Sequence, residues 1–248
     1  MESVIIPNTV SKIEPNAYKG DTQLRFVSIP SSVKEIGQGA FQDCTSLESV
    51  IIPNSVCLIG PEAFSGCKSL KHVVIPTIEP PSAQGVIGYD AFHGCENLES
   101  VLIPDNYNAI GSGAFIGCVN LKSFIAYKVE DENNRQAITP PIGFIEDCAF
   151  LRCDNLETVV LPDLITSINT AAFAFCGKLE HITLPSILFR LGGLAFKGCL
   201  KLSDVIFTDT IFEVGPDAFM KCPALKQIKC PNPAAFFNAR LRKDIQIV

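Results

Sequence analysis

The sequence predicts a solenoid in which 23-residue units stack one on another, with a parallel β-sheet along one face and short helical or 3-10 turns and loops on the other. Three observations carry this. An alanine–aromatic pair recurs nine times, from Ala17-Tyr18 and Ala40-Phe41 to Ala218-Phe219, at intervals of 23 residues except for 28 before Ala91 and 35 before Ala149. Apolar residues alternate just ahead of a recurrent proline, as Val50 and Ile52 do before Pro53. A cysteine stands four residues after the alanine in eight of the nine units, from Cys44 to Cys222. A fixed period of this length belongs to units that cannot bury their apolar face alone and do so by stacking.

Along one unit, Leu47, Val50 and Ile52 recur as Leu70/Val73/Ile75, Leu98/Val101/Ile103, Leu156/Val159/Leu161 and Leu179/Ile182/Leu184. Residues two apart on a strand share a side, so the Val and Ile positions point inward together. The proline that follows (Pro30, Pro53, Pro76, Pro104, Pro162 and Pro185) removes a ladder donor and ends the strand. Gly37, Gly60 and Gly111 suit a turn that needs an unusual backbone angle. The stretch PEAFSGCKSL, residues 61–70, then reads as a single helical or 3-10 turn returning the chain to the next leucine. Strands one unit apart would lie parallel at about 4.8 Å, with the phenylalanines as a column filling the interior. The excesses of 5 and 12 residues over the period are insertions looping out of the coil, TIEPPSAQGV (77–86) and KVEDENNRQAITPPIGF (128–144). A tenth strand falls between Leu225 and Cys230. Residues 1–231 thus form the solenoid, and 232–248 is expected to cap it, with Phe236 and Phe237 folded over the last unit.

The chain is 47% apolar and 19% charged, with a net charge of −6. That suits a folded chain with a continuous core and offers no electrostatic footprint for nucleic acid or an anionic membrane. No apolar run is long enough to insert across a bilayer. The start, MESVIIPNTV, has no basic region ahead of an apolar core and no Asn-x-Ser/Thr sequon occurs, so a secretory route is not expected.

Eleven cysteines raise disulfide and metal readings. Equivalent side chains in stacked units run parallel about 4.8 Å apart, whereas a disulfide needs converging Cβ atoms about 3.8 Å apart. There is no C-x-x-C pair, and a straight column cannot surround a zinc ion. The column is expected to be buried thiols that pack as small apolar residues and donate weakly to turn carbonyls. A row of free thiols favours the cytoplasm, with the cell surface or secretion as the alternative if the chain is a fragment. Cys57, Cys148 and Cys230 fall outside the column, and Cys57 is expected to be the most exposed.

No catalytic residue, metal ligand or cofactor is assigned. His72 and His181 share a column four units apart, roughly 20 Å, too far for a shared ion or proton. His93 sits on the turn after Phe92, and the carboxylates Glu130, Asp131 and Glu132 lie in a polar insertion without apolar walls. No nucleophile elbow, phosphate loop or dinucleotide fingerprint is present, so an enzyme is not expected.

The spelling IPSSVKEIGQGAFQDCTSL (29–47) and IPNSVCLIGPEAFSGCKSL (52–70) resembles the BspA-like leucine-rich repeat family over essentially the whole chain. The resemblance implies an α/β solenoid of the leucine-rich repeat type, right-handed and curved, without catalytic residues. It also implies a surface or interaction protein of bacteria or protists, some members being adhesins that bind host matrix proteins. Tyr127 and Thr208 in place of the strand-ending proline, and Asp21 in place of the cysteine, depart from the pattern locally.

Two features exceed what the repeat requires. The outward strand position reads Ile5, Ser28, Ile51, Val74, Leu102, Ile125, Val160, Thr183, Ile206 and Lys229, flanked by Ser49, His72, Ser100, Ser123, Thr158 and His181. This is either a surface for a partner or a set of β-branched residues stabilising their own sheet. The binding candidates on it are Ile51, Val74, Leu102, Ile125, Val160 and Ile206. The insertions supply a second set, Pro80, Pro81, Glu130, Asp131, Glu132 and Arg135, read either as one binding side or as tolerated loops. The chain begins within a strand at Val4 without a polar cap, which leaves open a homodimer through that edge or the sheet face, or a missing upstream segment. The expected function is a non-enzymatic scaffold that binds an unidentified protein partner. The alternatives are a cell-surface adhesin binding host or matrix proteins, and a regulatory repeat module of a larger, enzymatic parent.

Overall fold

The computed structural model describes residues 2–75, 85–104, 106–127, 143–208 and 211–248. The candidate insertion residues Pro80, Pro81, Glu130, Asp131, Glu132 and Arg135 lie outside the described residues.

The chain is a parallel β-solenoid. Its first ladder takes Ser3–Ile5, Phe26–Ser28, Ser49–Ile51, His72–Val74, Ser100–Pro104, Ser123–Tyr127 and Thr158–Val160 in chain order. Each strand pairs in register with its equivalent in the next unit, so Val50 lies on Val73 and Ile51 on Val74. A separate four-stranded sheet continues with His181–Leu184, Asp204–Phe207, Gln227–Lys229 and Gln246–Ile247.

A second, nine-stranded ladder runs from Lys12–Ile13 through Glu35–Ile36 and Leu58–Ile59 to Arg190–Leu191 and Glu213–Val214. The sequence pattern leads only to the first ladder, because several strands of the second are two residues long and leave no alternation to read. Gly37 and Gly60 follow this ladder, and they are needed for a different reason from an unusual angle. A Cβ on Gly37 would stand 2.5 Å from the Ile13 carbonyl oxygen, and one on Gly60 2.7 Å from that of Ile36. The stacked backbones come too close at this corner to admit a side chain.

The helical turn expected over residues 61–70 is instead two successive tight turns. Glu62 and Gly66 have φ of 56° and 73°, and the same pair of left-handed positions recurs at Asp90 and Gly94 and at Cys148 and Arg152. Amides along the segment alternate in direction. The Ala63 N–H donates back to Gly60 O in its own coil, and the Phe64 N–H donates to Ala91 O in the next. A left-handed residue every fourth position stops helical propagation and aims alternate donors at the neighbouring coil. Among the described residues the only helical element is the 3-10 turn Pro233–Phe236.

The interior is one column of rings. Tyr18, Phe41, Phe64, Phe92, Phe115, Phe150, Phe173, Phe196 and Phe219 stack with centroids 4.9–5.6 Å apart and planes within 11°. Tyr107 fills the space above Gly85 and donates its hydroxyl to Val56 O at 2.5 Å. At the C-terminal end Phe236 packs edge-on against Phe207 at 5.6 Å, and Gln246–Ile247 adds a strand to Gln227–Lys229. Phe237 does not join this packing as expected; it is 92% exposed.

Candidate functional site

Register brings the outward candidates into a row. Ile51 stacks on Val74, Val74 on Leu102, Leu102 on Ile125 and Ile125 on Val160. Ile5 and Ile51 are 82% and 80% exposed, Val74, Leu102 and Val160 are also exposed, and Ile125 is half-buried. Ser28 interrupts the row between Ile5 and Ile51 and floors a dip of about 290 Å³. Ile206 stands apart from the others, on the four-stranded sheet between Thr183 and Lys229. From Ser49 onward the flanking column is polar, with His72 Nδ1 2.9 Å from Ser100 Oγ and His181 Nδ1 2.9 Å from Asp204 Oδ2, while the exposed Phe26 stands in it one unit earlier.

Beside that flank the charges alternate in sign: Glu2, Arg25, Glu48, Lys71, Glu99, Lys122 and Glu157. Stacking identical units would place like charges opposite one another, which destabilises a sheet; alternation turns the repulsion into attraction. Arg25 Nε meets Glu48 Oε1 at 3.0 Å and Lys122 Nζ meets Glu99 Oε2 at 2.8 Å. The Lys122 hydrogen bond holds the Glu99 carboxyl below the usual carboxylate range.

Alternation fails at Glu157 and Glu180, which are consecutive in this column. The first ladder fails at the same place, since Thr158–Val160 and His181–Leu184 are not paired. Each carboxylate instead takes a cation from elsewhere, Glu157 from Lys178 at 3.6 Å and Glu180 from Lys201 at 3.1 Å. The second ladder continues unbroken past this point, pairing Ser167 with Arg190, and so does the ring column, with Phe173 and Phe196 5.4 Å apart. The coils therefore part on one face only. They leave a groove of about 580 Å³ lined by Glu157, Thr158, Asp163, His181 and Thr183, among others.

The second sheet has its own outward face, which sequence reasoning missed along with the ladder. Val86 and Phe144 are exposed on its strands, and Phe189 and Phe212 are exposed immediately before Arg190–Leu191 and Glu213–Val214. The available signal for Phe189 and Phe212 was their column, which holds Ser11, Lys34 and Cys57 in early units and phenylalanine in the last two.

The column cysteines are buried, and each donates its Sγ–H to the carbonyl of the ring one coil earlier. Cys67 donates to Phe41 O at 3.1 Å and Cys118 to Phe92 O at 3.2 Å. Burial pushes every one of these thiols up, Cys44 and Cys222 to about 11 and the fully enclosed ones further. Such groups are inert thiols that pack. Among the described residues no group of three His, Cys, Asp or Glu could hold a metal ion, and no helix is long and apolar enough to cross a membrane.

A family model for BspA type leucine-rich repeat regions matches residues 1–79, 75–139 and 143–243, in six copies. No curated protein matches the chain. Among solved structures, a leucine-rich repeat protein from Bacteroides ovatus is 26% identical over 99% of this chain and 70% of its own, with a TM-score of 0.61. The leucine-rich repeat protein of T. pallidum is 30% identical over 72% of this chain and 78% of its own, with a TM-score of 0.58. One from Eubacterium ventriosum, 20% identical over 95% of this chain and 68% of its own at a TM-score of 0.52, shares the fold. The repeat spelling, the stacked parallel ladders and these matches agree, and the chain belongs to the BspA-type leucine-rich repeat family.

Proposed function

We propose that this chain is a scaffold without catalytic chemistry of its own that binds another protein through the outward face of the first ladder. The carrying observation is the continuous row Ile51, Val74, Leu102, Ile125 and Val160, apolar along its centre and bordered by polar and ion-paired side chains. An apolar strip within a polar margin is the anatomy of a protein interface, and it exceeds what a solvent-facing strand position needs. Ile206, on the neighbouring sheet, and the insertion residues belong to this reading only as secondary contacts.

The buried thiols alter the weight of the compartment reading. Fully enclosed and hydrogen-bonded, they are protected from oxidants, so their number no longer favours the cytoplasm over a cell surface. An adhesin is therefore a second reading with equal support from the cysteines. The test is a pair of substitutions, Val74→Glu with Leu102→Glu, in a pull-down by the full chain with mass spectrometry and a parallel sedimentation run. The double variant is expected to melt as the parent does and to lose the captured partner or the self-association. Unchanged capture together with unchanged oligomeric state would overturn the sheet-face reading.

A further inference from the structure

We infer that a niche over Thr166, at the outer corner of the second ladder, receives an aromatic side chain presented by a protein partner, a site independent of the sheet face described above. Thr166, Phe189 and Phe212 occupy consecutive rungs of one column: the Phe189 N–H donates to Thr166 O at 2.8 Å and the Phe212 N–H to Phe189 O at 3.0 Å. The rings of Phe189 and Phe212 stack at 4.8 Å, 15° from parallel, while remaining 55% and 69% exposed. A pair of large rings held in water at adjacent rungs is the kind of feature that anchors interfaces.

The stack ends at Thr166 because threonine is too short to continue it. What remains is a cleft of about 450 Å³ lined by Thr166, Ser167, Ile187, Phe189 and Arg190. Phe189 has Phe212 on one face, so its other face fronts this cleft. A planar ring entering at the coil spacing would extend the column as Phe189 extends Phe212, in the offset geometry that aromatic pairs prefer. Arg190, held by Glu213 with Nε 3.4 Å from Oε2, borders the opening and can lie against the ring edge or face.

The polar groups of the cleft favour an aromatic side chain over a sugar. Thr166 already donates its hydroxyl to Gly143 O at 3.1 Å, and Ser167 donates to Asn169 Oδ1 at 2.8 Å. A sugar ring stacked on Phe189 would bring several hydroxyls that these committed groups serve poorly, whereas the walls, Ile187 and Phe189, are apolar.

The chain contains no tryptophan, so an indole supplied in a probe is the only one in the sample. The probe is the tripeptide N-acetyl-Gly-Trp-Gly-amide, titrated with the full chain while indole emission and the methyl resonances of Ile187 and Thr166 are followed. Expected are a saturable blue shift of the emission and ring-current shifts at both methyls. Phe189→Ala should weaken the association roughly three- to tenfold, the range one aromatic pair commands. Thr166→Trp should fill the niche, show protected indole emission of its own and abolish the methyl response to added peptide. Both positions are outside the core, and the melting curve confirms that each variant folds. The proposal is overturned if the leucine tripeptide gives an equal response, if cellobiose displaces the probe, or if Phe189→Ala binds like the parent. It is also overturned as a partner site if the chain self-associates through the niche in a way that Phe237→Ala removes, since the occupant would then be a second copy.

Discussion

At the scale of single residues, the eight column cysteines show how a chemically conspicuous group becomes packing. Each thiol reaches back to the carbonyl of the preceding ring, from Cys44 to Tyr18 O at 3.1 Å up to Cys222 to Phe196 O at 3.0 Å, and so ties one coil to the next. Their burial was legible from the period alone, because a position repeated every 23 residues on the inward side has no access to water. The folded chain keeps these thiols protonated well above their ordinary value near 9, while the unfolded chain ionises them there. Their contribution is therefore complete below pH 9 and is lost as pH rises, by about 1.4 kcal/mol per pH unit for each enclosed thiol. Alkaline titration followed by circular dichroism should show cooperative unfolding beginning above pH 9, with the midpoint moved upward in Cys118→Ala. Iodoacetamide mapping of the native chain should find Cys57 and Cys148, the partly exposed pair, labelled ahead of the column. Native labelling of Cys118 would contradict the account.

At the scale of elements, the gap between Thr158–Val160 and His181–Leu184 coincides with the one break in charge alternation. Six consecutive pairings in the column beside the strands join opposite signs, and the seventh would join Glu157 to Glu180. That is where pairing stops, although the second ladder and the ring column carry on. Amides at the gap should exchange with deuterium faster than those of Val101 and Phe124 in the continuous part of the sheet. If charge repulsion keeps the strands apart, Glu180→Gln, which removes one of the two like charges, should slow exchange across 158–160 and 181–184 without slowing it at Val101. Equal protection in the parent chain would show that the strands are paired after all. The charge column was readable in the sequence once the units were aligned, but its consequence was not. The partners of the two glutamates were not readable, because Lys178 and Lys201 reach them from positions outside the column.

At the scale of the whole molecule, stability is carried by nearest-neighbour contact along a single axis, as expected of stacked units. Phe173 touches a ring on each side, at 4.9 and 5.4 Å, and is fully buried. Phe173→Ala should cost about 3–5 kcal/mol in urea unfolding, because the neighbouring coils are held apart by their own backbone pairing and cannot collapse into the cavity. Tyr18→Ala, at the end of the column with one ring neighbour and partial exposure, should cost distinctly less. Equal losses at the two positions would argue against a column whose strength depends on neighbours to both sides.

The sequence by itself determined the period, the inward phase of Val50 and Ile52, the ring and thiol columns and the family, because each is a property of one unit repeated. Only the tertiary structure decided that Gly37 is required by the Ile13 carbonyl, that residues 61–70 turn twice instead of forming a helical turn, that a second ladder exists, and that Phe189 fronts an empty rung at Thr166. All four depend on what the adjacent coil places a few ångströms away. That neighbour lies 23 or more residues distant along the chain, where local propensity and alternation carry no information about the contact.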